Sequence, residues 1–288
     1  MNLTDINEIR ALLARHGFRF SKALGQNFLT AAWVPERIAE AAGPDETTGV
    51  LEIGPGVGCL TAELARRAGK VAAVELDRAL LPVLGETLGG FGNVTVIPGD
   101  AAKMDLRALA EREFPGLRPV VCANLPYNVT TPLLTKILEA GVFGTVTVMI
   151  QREVARRICA GPGCADYGAF GLFVQWHCEA EILFDVPPSC FVPQPKVTSS
   201  VIRLTKRAQP PAAVRDEALL FRVIRAAFNQ RRKTLVNALS AGLGLDKAEL
   251  EALLVESGLD PRVRGETLGI ADFAALSDKI FCESGAEI

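Results

Sequence analysis

The sequence predicts an α/β protein with a mostly parallel β-sheet covered by helices, followed by a small all-helical domain. Between residues 50 and 150, short runs that are apolar throughout alternate with segments of helical spacing. Such runs are typical of parallel strands that helices cover on both faces. After residue 206 every apolar segment follows a helical period instead. A length of 288 residues accommodates one large and one small domain.

The predicted strands fall into two groups. Five of them are each followed by a helical segment: VLEIG (50–54), VAAVEL (71–76), VTVIPGD (94–100), PVVCAN (119–124) and TVTVMIQ (145–151). Two more are predicted without a long helix between them, over FGLFVQWHCEAEILFDV (170–186) and SSVIRL (199–204). We expect the last two to form an antiparallel hairpin at the edge of the sheet, because a short connection cannot join parallel neighbours.

The composition changes near residue 206. The segment TKRAQPPAAV carries a proline pair and charges, which predicts a linker. We therefore predict one domain over residues 1–206 and a helical domain over residues 207–288. The helices of the second domain are predicted in LLFRVIRAAFNQRRKTLVNALSAG, KAELEALLVESG and IADFAALSDKIF.

Composition excludes several classes of protein. No apolar run approaches the roughly 20 residues that a membrane helix needs. The N-terminus has acidic residues and no apolar core of a secretory signal. The seven cysteines form no C-x-x-C pair and have no Cys/His partners at metal-ligand spacing. We expect reduced thiols, no metal, no membrane association and a cytoplasmic location.

Charge is unevenly distributed along the chain, although the net charge is only −2. Residues 200–235 contain nine Lys or Arg and two acidic residues, whereas residues 245–288 contain four basic and ten acidic residues. Such segregation indicates a basic surface for an anionic partner. The alternative is a solvated helix face. The candidate contacts are Arg222, Arg225, Arg231, Arg232 and Lys233.

A glycine-rich loop joins the first predicted strand to its helix. Gly54, Gly56 and Gly58 alternate along it, so that the backbone can turn tightly and approach a ligand at a helix N-terminus. A dinucleotide loop of the G-x-G-x-x-G type requires glycine where this chain has Cys59. The loop therefore favours a nucleoside ligand without phosphates, such as S-adenosylmethionine. A glycine turn without any ligand stays open as an alternative.

Polar residues end the next strands. Glu75 lies 21 residues after Gly54, a spacing at which an acidic residue binds both ribose hydroxyls in doubly wound folds. Asp100 closes the following strand, where its carboxylate can accept the exocyclic amine of an adenine. Taken alone, either carboxylate is better explained as a helix N-cap than as a ligand-binding group. Their common position at the carboxyl ends of successive strands favours the ligand, because open α/β sheets bind ligands there.

The fourth strand ends in Asn124-Leu125-Pro126-Tyr127, on the same edge. The side-chain carbonyl of Asn124 and the backbone carbonyl of Leu125 can accept the two hydrogens of an adenine N6 amine. Pro126 restricts the backbone and Tyr127 can stack on the base. A sulfonium donor is already activated, so positioning and electrostatics suffice for transfer. An ordinary turn with a packed tyrosine is the alternative.

With these residues assembled, the sequence resembles the ribosomal RNA adenine N6,N6-dimethyltransferase family, in its small-subunit branch. The resemblance extends from about Lys22 to about Leu276. Six motifs occur in the family's order: KALGQNFL (22–29), LEIGPGVGCLT (51–61), NLPYNVTTPLL (124–134), QREVARRI (151–158), FVPQPKVTSSVIRL (191–204) and AFNQRRKTLVNAL (227–239).

The resemblance implies a class I methyltransferase (Rossmann-like) fold with a seven-stranded sheet, followed by a helical domain. It implies that S-adenosylmethionine is bound by Asn27, Leu29, Gly54, Glu75, Asp100 and Asn124. It also implies that residues 124–127 are the catalytic loop and that Phe191 is a second stacking surface for a base that has left its stack. The alternative for Phe191 is a core residue or a loop anchor. The substrate implied is a pair of adjacent adenines in the 3′-terminal hairpin loop of small-subunit (16S) rRNA, within the small ribosomal subunit. We expect a monomer.

Two features depart from the family pattern, and other functions compete. Gln194 replaces an expected proline, and the isoelectric point of about 5.9 is lower than expected for this family. The main alternative is the related large-subunit dimethyltransferase that confers macrolide resistance. Another is an assembly or transcription factor that has kept the fold and lost the activity, although both key motifs are intact here. A dehydrogenase is disfavoured by Cys59.

Overall fold

The structure, a computed structural model, describes residues 1–19 and 25–283, and these form two compact units. The first unit contains residues 1–155 and 179–206, and the second contains residues 156–178 and 207–288. The predicted division placed a single boundary after residue 206. Here the second unit also takes a segment from the middle of the chain, residues 156–178.

The first unit is built on a seven-stranded sheet. Its spatial order is β4-β3-β2-β5-β6-β9-β7. The first five strands in this order are mutually parallel, and β9 is antiparallel to β6. The strands are β2 (Thr48–Ile53), β3 (Lys70–Glu75), β4 (Val94–Pro98), β5 (Arg118–Asn124), β6 (Thr145–Gln151), β7 (Cys178–Val186) and β9 (Ser199–Lys206). The five predicted parallel strands and the predicted strand at 199–204 are confirmed.

The prediction of a single strand over residues 170–186 was wrong for the first half of that segment. It forms a helix, α8 (Ala169–His177), which is followed directly by β7. Leu172 and Trp176, one helical turn apart, are both buried in the core of the second unit. Because the segment is apolar on every side, its periodicity does not distinguish a buried strand from a buried helix, and only the packing of these side chains does.

A second, two-stranded sheet was not predicted. It pairs β1 (Phe28–Leu29) with β8 (Phe191–Val192) in antiparallel register, with Leu29 opposite Phe191. Strands of two residues carry no detectable alternation in a sequence. This pairing attaches the N-terminal KALGQNFL motif to the motif that begins at Phe191. Lys22, Ala23 and Leu24 of the first motif lie outside the described residues.

Helices pack against the large sheet. One face packs against α2 and α3 through buried residues such as Val34, Ile38 and Leu64. α1 begins at an N-cap, Asp5, whose carboxylate accepts the backbone N–H groups of the first turn. The helices up to residue 159 are α1 (Ile6–Arg15), α2 (Trp33–Ala42), α3 (Cys59–Ala65), α4 (Leu81–Leu88), α5 (Leu106–Glu113), α6 (Thr130–Ala140) and α7 (Arg152–Cys159).

The second unit is helical. Its core joins Trp176 of α8 to Leu220, Leu239, Leu254 and Phe273, each from a different helix. Aspartate N-caps begin two of these helices, at residues 216 and 246. The helices are α8, α9 (Glu217–Asn229), α10 (Leu235–Leu243), α11 (Lys247–Glu256) and α12 (Ile270–Glu283). The seven cysteines are free thiols, four of them buried: Cys59, Cys122, Cys178 and Cys190.

Strand order determines where a ligand can bind. From β2 the chain proceeds to β3 and β4 on one side, whereas β5 and β6 lie on the other side of β2. The two halves diverge between β2 and β5, and their carboxyl ends leave a crevice there. In open α/β sheets this switch point is the ligand site.

Candidate functional site

A cavity opens at the carboxyl ends of β2, β3, β4 and β5, at the predicted edge of the sheet. It is lined by most of the residues predicted for the cofactor: Asn27, Leu29, Gly54, Gly56, Glu75, Asp100 and Asn124. Leu125, Pro126 and Tyr127 of the predicted catalytic loop line it as well. Gly58 and Phe191 are not among its lining residues.

The glycine loop after β2 has the backbone geometry that its sequence predicted. Gly56 and Gly58 have φ angles of 61° and 90°, in the left-handed region. A Cβ atom on Gly56 would lie 3.2 Å from the Phe28 ring, and one on Gly58 would lie 3.0 Å from the side chain of Leu88. Gly58 therefore packs the loop against α4, and Gly56 lets the loop approach the cavity wall formed by β1.

Glu75, the last residue of β3, is buried with 6 % of its surface exposed. Its Oε1 accepts the backbone N–H of Asp77 at 2.7 Å, and the Asp77 carboxylate accepts the side-chain amide of Gln26 at 2.7 Å. Burial raises the pKa of Glu75 to about 7. The carboxylate is thus oriented by its neighbours and poorly solvated, which suits an acceptor for two ribose hydroxyls.

Asp100 follows β4 and is less buried, with 31 % of its side chain exposed. The residue before it, Gly99, donates its N–H to the Glu75 carbonyl at 2.8 Å, which holds this turn against the end of β3. The Asp100 Oδ1 accepts the N–H of Ala102 at 3.0 Å, and Oδ2 lies 3.5 Å from the Lys103 ammonium. The carboxylate is therefore held by an Asx turn at the rim of the cavity.

Glu52 is a cavity residue to which the sequence assigned no function. It is 1 % exposed, and within the described residues its buried Oε2 has no hydrogen-bond partner. Burial is the main reason that the pKa of Glu52 is raised to about 8. The neighbouring Thr61 hydroxyl opposes this rise, and the nearby charge of Glu75 contributes to it. A buried carboxyl oxygen without a partner in a ligand cavity indicates a polar group to be supplied by the ligand. A single acidic residue within the apolar run VLEIG is the signal that marked it in the sequence.

Asn124 ends β5 at the cavity, half-buried, opposite Met149 of β6. The next residue, Leu125, donates its N–H to the Met149 carbonyl at 3.1 Å. Among the described residues none hydrogen-bonds the side-chain amide of Asn124. This amide is therefore positioned by the sheet and is available to a ligand.

Pro126 and Tyr127 turn the chain away from the strand. Pro126 has φ −58° and ψ 131°, and its carbonyl accepts the Thr130 hydroxyl at 3.0 Å. A single 3-10 turn, Tyr127–Val129, then leads into α6. The half-buried Tyr127 is anchored by a 2.6 Å hydrogen bond between its hydroxyl and that of Ser199.

The N-terminal motif forms another wall of the cavity. Asn27 donates its side-chain amide to the Gly25 carbonyl at 3.0 Å, and Leu29 is buried in β1. A Cβ atom on Gly25 would lie 3.1 Å from the side chain of Asn128, in the turn that follows Asn124. The motif thus reaches from the turn after β3, through Gln26, to the predicted catalytic loop.

Phe191 does not face the cavity. It is 1 % exposed and packs in the apolar core with Val34 and Val201. In this conformation its ring is buried and is not available to stack on a base. The ring lies in the core although β8, which carries it, pairs with β1, a strand of the cavity wall.

The five basic candidates lie in the second unit. Arg222 and Arg225 belong to α9, and the other three follow it in the turn before α10. Arg231 is engaged within the unit, since it donates to the Ala165 carbonyl at 3.0 Å and pairs with Glu266 at 3.2 Å. The remaining four form no ion pair with described residues, and Arg225, Arg232 and Lys233 are exposed.

The described part of the chain contains neither a metal-binding cluster nor a membrane-spanning helix. No group of three or more His, Cys, Asp or Glu side chains within residues 1–19 and 25–283 is arranged to hold a metal ion. No helix in those same ranges is long and apolar enough to cross a bilayer.

The residues of the cavity fit S-adenosylmethionine. A loop tightened by Gly56 provides close backbone approach, Glu75 provides an acceptor for a ribose, and Glu52 leaves an unpartnered carboxyl oxygen for a polar group. Fold and site together define a class I methyltransferase that depends on S-adenosylmethionine. The ribosomal RNA adenine dimethylase family matches residues 17–280 of the chain. The protein belongs to this family.

Individual relatives agree with this assignment. The chain is 50 % identical over 276 residues to ribosomal RNA small subunit methyltransferase A of Geobacillus thermodenitrificans, covering 94 % of each chain. It is 47 % identical to the protein of the same name from Alkaliphilus oremlandii, covering 96 % of this chain and 98 % of the relative.

Solved structures are similar at lower identity. A dimethyladenosine transferase from Plasmodium falciparum aligns with a TM-score of 0.74 at 26 % identity, covering 89 % of this chain and 98 % of the other. The 23S rRNA methyltransferase ErmE aligns with a TM-score of 0.65 at 28 % identity, covering 88 % and 98 %.

The raised pKa of Glu52 predicts a pH-dependent cost in stability. The pKa of Glu52 is about 8 in the folded chain against an ordinary 4.5. The free energy of unfolding is therefore unaffected by this group below about pH 4.5, where the carboxyl is protonated in both states. It falls as pH rises from there through 8, because the unfolded chain loses this proton first and the buried carboxyl ionises only at a cost. In the protein without cofactor, Glu52→Gln should melt several degrees above wild type at pH 9, and this gap should shrink towards pH 5. The exposed Glu251→Gln variant is the control and should follow wild type throughout. A gap that stays constant with pH would contradict the buried, raised carboxyl.

Proposed function

We propose that this enzyme transfers methyl groups from S-adenosylmethionine to N6 of two adjacent adenines in the 3′-terminal hairpin loop of small-subunit rRNA. The products are N6,N6-dimethyladenines made during ribosome biogenesis. One observation carries the proposal: the side-chain amide of Asn124 lies unpaired at the cavity, next to the rigidly held Leu125. The relatives at about half identity, which bear the name of a small-subunit methyltransferase, support the choice of RNA.

The cofactor site uses the cavity residues. Glu75 accepts the ribose hydroxyls and Asp100 the adenine amine of the cofactor. Bound in the cavity, S-adenosylmethionine supplies a methyl group on a sulfonium, an electrophile that needs no further activation. The complete proposed set is Asn27, Leu29, Gly54, Gly56, Gly58, Glu75, Asp100 and Asn124, in which Gly58 acts by shaping the loop and not by contact.

The acceptor site is the loop that follows β5. The side-chain carbonyl of Asn124 and the backbone carbonyl of Leu125 accept the two N6 hydrogens of the target adenine. This draws the nitrogen lone pair away from the ring and towards the methyl group. The Leu125 carbonyl is fixed because the N–H of the same residue donates to the Met149 carbonyl and the next residue is proline.

The target base is held by stacking as well. Tyr127 lies directly after the two carbonyl acceptors, and its half-buried ring lines the cavity. Phe191 is buried in the described conformation, so a stacking role for it requires β8 to rearrange. The base must leave its stack in the RNA to reach this site.

The RNA backbone is contacted by Arg222, Arg225, Arg231, Arg232 and Lys233. Exposed cations that are not paired within the protein can neutralise phosphates and release the counterions that are condensed on the nucleic acid. Arg232 and Lys233 satisfy that condition best, whereas Arg231 is already bonded to Ala165 and Glu266. We place the enzyme in the cytoplasm, in agreement with its free cysteines, acting as a monomer on the small ribosomal subunit.

Large-subunit rRNA is the competing substrate. The structural likeness to ErmE, a 23S rRNA methyltransferase, shows that the same fold occurs in that class. Identity to ErmE is 28 %, however, against 47–50 % to the relatives named for the small subunit. The higher identity favours the small subunit.

Asn124→Ala tests the catalytic assignment. Loss of one positioned hydrogen-bonding group at the reacting centre should lower kcat by about 10²–10³-fold. Calorimetric binding of S-adenosylmethionine should be largely retained, because Glu75 and the glycine loop are unchanged. Asn7→Ala, an exposed amide on α1, is the matched control and should keep full activity. An unaffected methylation rate in Asn124→Ala would remove this residue from the mechanism.

Purified ribosomal subunits that lack the modification distinguish the two RNA substrates. Incubation with enzyme and cofactor should give primer-extension stops at two adjacent adenines in the 3′-terminal hairpin of the small-subunit RNA, since dimethylated adenine cannot form a Watson–Crick pair. Large subunits treated in parallel should show none. Stops confined to the large-subunit RNA would establish the competing substrate instead.

The salt dependence of RNA binding tests the basic surface. Each phosphate contact contributes close to one unit to the slope of log affinity against log salt, so the double variant Arg232→Ser with Lys233→Ser should flatten that slope by about one to two. The control Lys247→Ser removes an exposed lysine from the acidic part of the chain and should leave the slope unchanged. A slope identical to wild type in the double variant would exclude these two residues as contacts.

A further inference from the structure

Tyr127 is tethered to a residue 72 positions later in the chain. Its hydroxyl lies 2.6 Å from the hydroxyl of Ser199, the first residue of β9. Ser199 is fully buried, whereas Tyr127 is half-buried at the cavity wall. The ring that faces the acceptor site is therefore held at its far end by a hydroxyl from another strand.

The anchor is part of the rigid sheet. Ser199 lies opposite Gln151 in the β6–β9 ladder, and the next pair joins Ile150 to Ser200. The preceding carbonyl, that of Thr198, accepts the N–H of Arg152 at 3.0 Å. Ser199 thus cannot shift without breaking sheet pairing on both of its sides.

The tethered segment is much less constrained. Tyr127 begins a 3-10 turn of three residues, whose backbone bond from Val129 to the Pro126 carbonyl is 3.2 Å long. A single turn of this kind has poor hydrogen-bond geometry and does not determine the tilt of a side-chain ring. The bond to Ser199 supplies that orientation. Burial raises the pKa of the Tyr127 hydroxyl, so it stays neutral and able to share a proton with Ser199.

Two successive transfers to one nitrogen place unequal demands on this ring. Each transfer forms an N6–C bond while the donor's S–C bond breaks, and N6 gives up one proton to water. Before the first transfer, N6 has two hydrogens for the carbonyls of Asn124 and Leu125. Before the second transfer it has one hydrogen, so one of the two hydrogen bonds is lost. Stacking on Tyr127 must then carry a larger share of the alignment.

We propose that Ser199 is a positioning residue that holds the Tyr127 ring for the second methyl transfer to each adenine. This inference rests on the proposed function. Ser199 acts through Tyr127 and does not itself touch the base. Its loss should slow the second transfer more than the first and allow N6-monomethyladenine to accumulate.

The experiment compares product ratios in small-subunit RNA methylated by the full-length enzyme and digested to nucleosides. Ser199→Ala and Tyr127→Phe should each raise the ratio of monomethyl- to dimethyladenine by about threefold to tenfold, the range expected for one hydrogen bond. Because both variants remove the same bond, the double variant should show no further rise. Tyr127→Phe retains the ring and its packing, so it reports on the tether even where Ser199→Ala folds poorly.

Ser200→Ala is the matched control. Ser200 is equally buried, is adjacent in the same strand, and bonds Asp185 at 2.5 Å instead of Tyr127. Its product ratio should equal that of wild type. A wild-type ratio in Ser199→Ala, additive effects in the double variant, or the same rise in Ser200→Ala would each overturn the inference. The absence of any adenine methylation by the wild-type enzyme would instead overturn the proposed function, so the two failures are distinct.

Discussion

The hydrogen bond from the Leu125 amide to the Met149 carbonyl extends the pairing of β5 and β6 one residue beyond Asn124. Without it, Asn124 would belong to a loop and its amide would be free to reorient. With it, the amide leaves the sheet at a defined position and the following proline turns the chain away at once. The Asn124 amide is therefore held as firmly as the sheet itself, which is what catalysis by positioning requires.

The donor side of the cavity is built on buried carboxyls. Glu75 ends β3, Glu52 is the penultimate residue of the neighbouring parallel strand β2, and burial raises the pKa of both carboxyls. Two buried, poorly hydrated carboxyls close to each other destabilise the protein when no ligand is bound. Hydroxyl and amine groups of a ligand relieve this by supplying the hydrogen bonds that water and protein do not. The buried carboxyls thus lower the stability of the ligand-free protein at the site where the ligand binds.

The predicted functional polar residues and the exposed cations lie in different units of the chain. The first unit carries the predicted ligand-binding residues Glu75, Asp100 and Asn124 at one edge of its sheet, whereas the exposed cations at residues 225, 232 and 233 belong to the helical unit. Chemistry on the base and attraction for the phosphate backbone are thus carried by different parts of the sequence. The low net charge of −2 is compatible with RNA binding because local basicity, and not the total, meets the phosphates.

The sequence by itself determined the parallel sheet, the helical second part, the glycine loop, and the placement of Glu75, Asp100 and Asn124 at strand ends. These follow from local periodicity and from the rule that parallel strands align their carboxyl ends. Only the tertiary structure decided that residues 169–177 form a helix, since their apolar pattern suits either element. It also decided that Phe191 is buried, that the Oε2 atom of Glu52 has no hydrogen-bond partner among the described residues, and that the Ser199 hydroxyl bonds that of Tyr127. Each of these depends on contacts between residues far apart in the chain, about which local pattern holds no information.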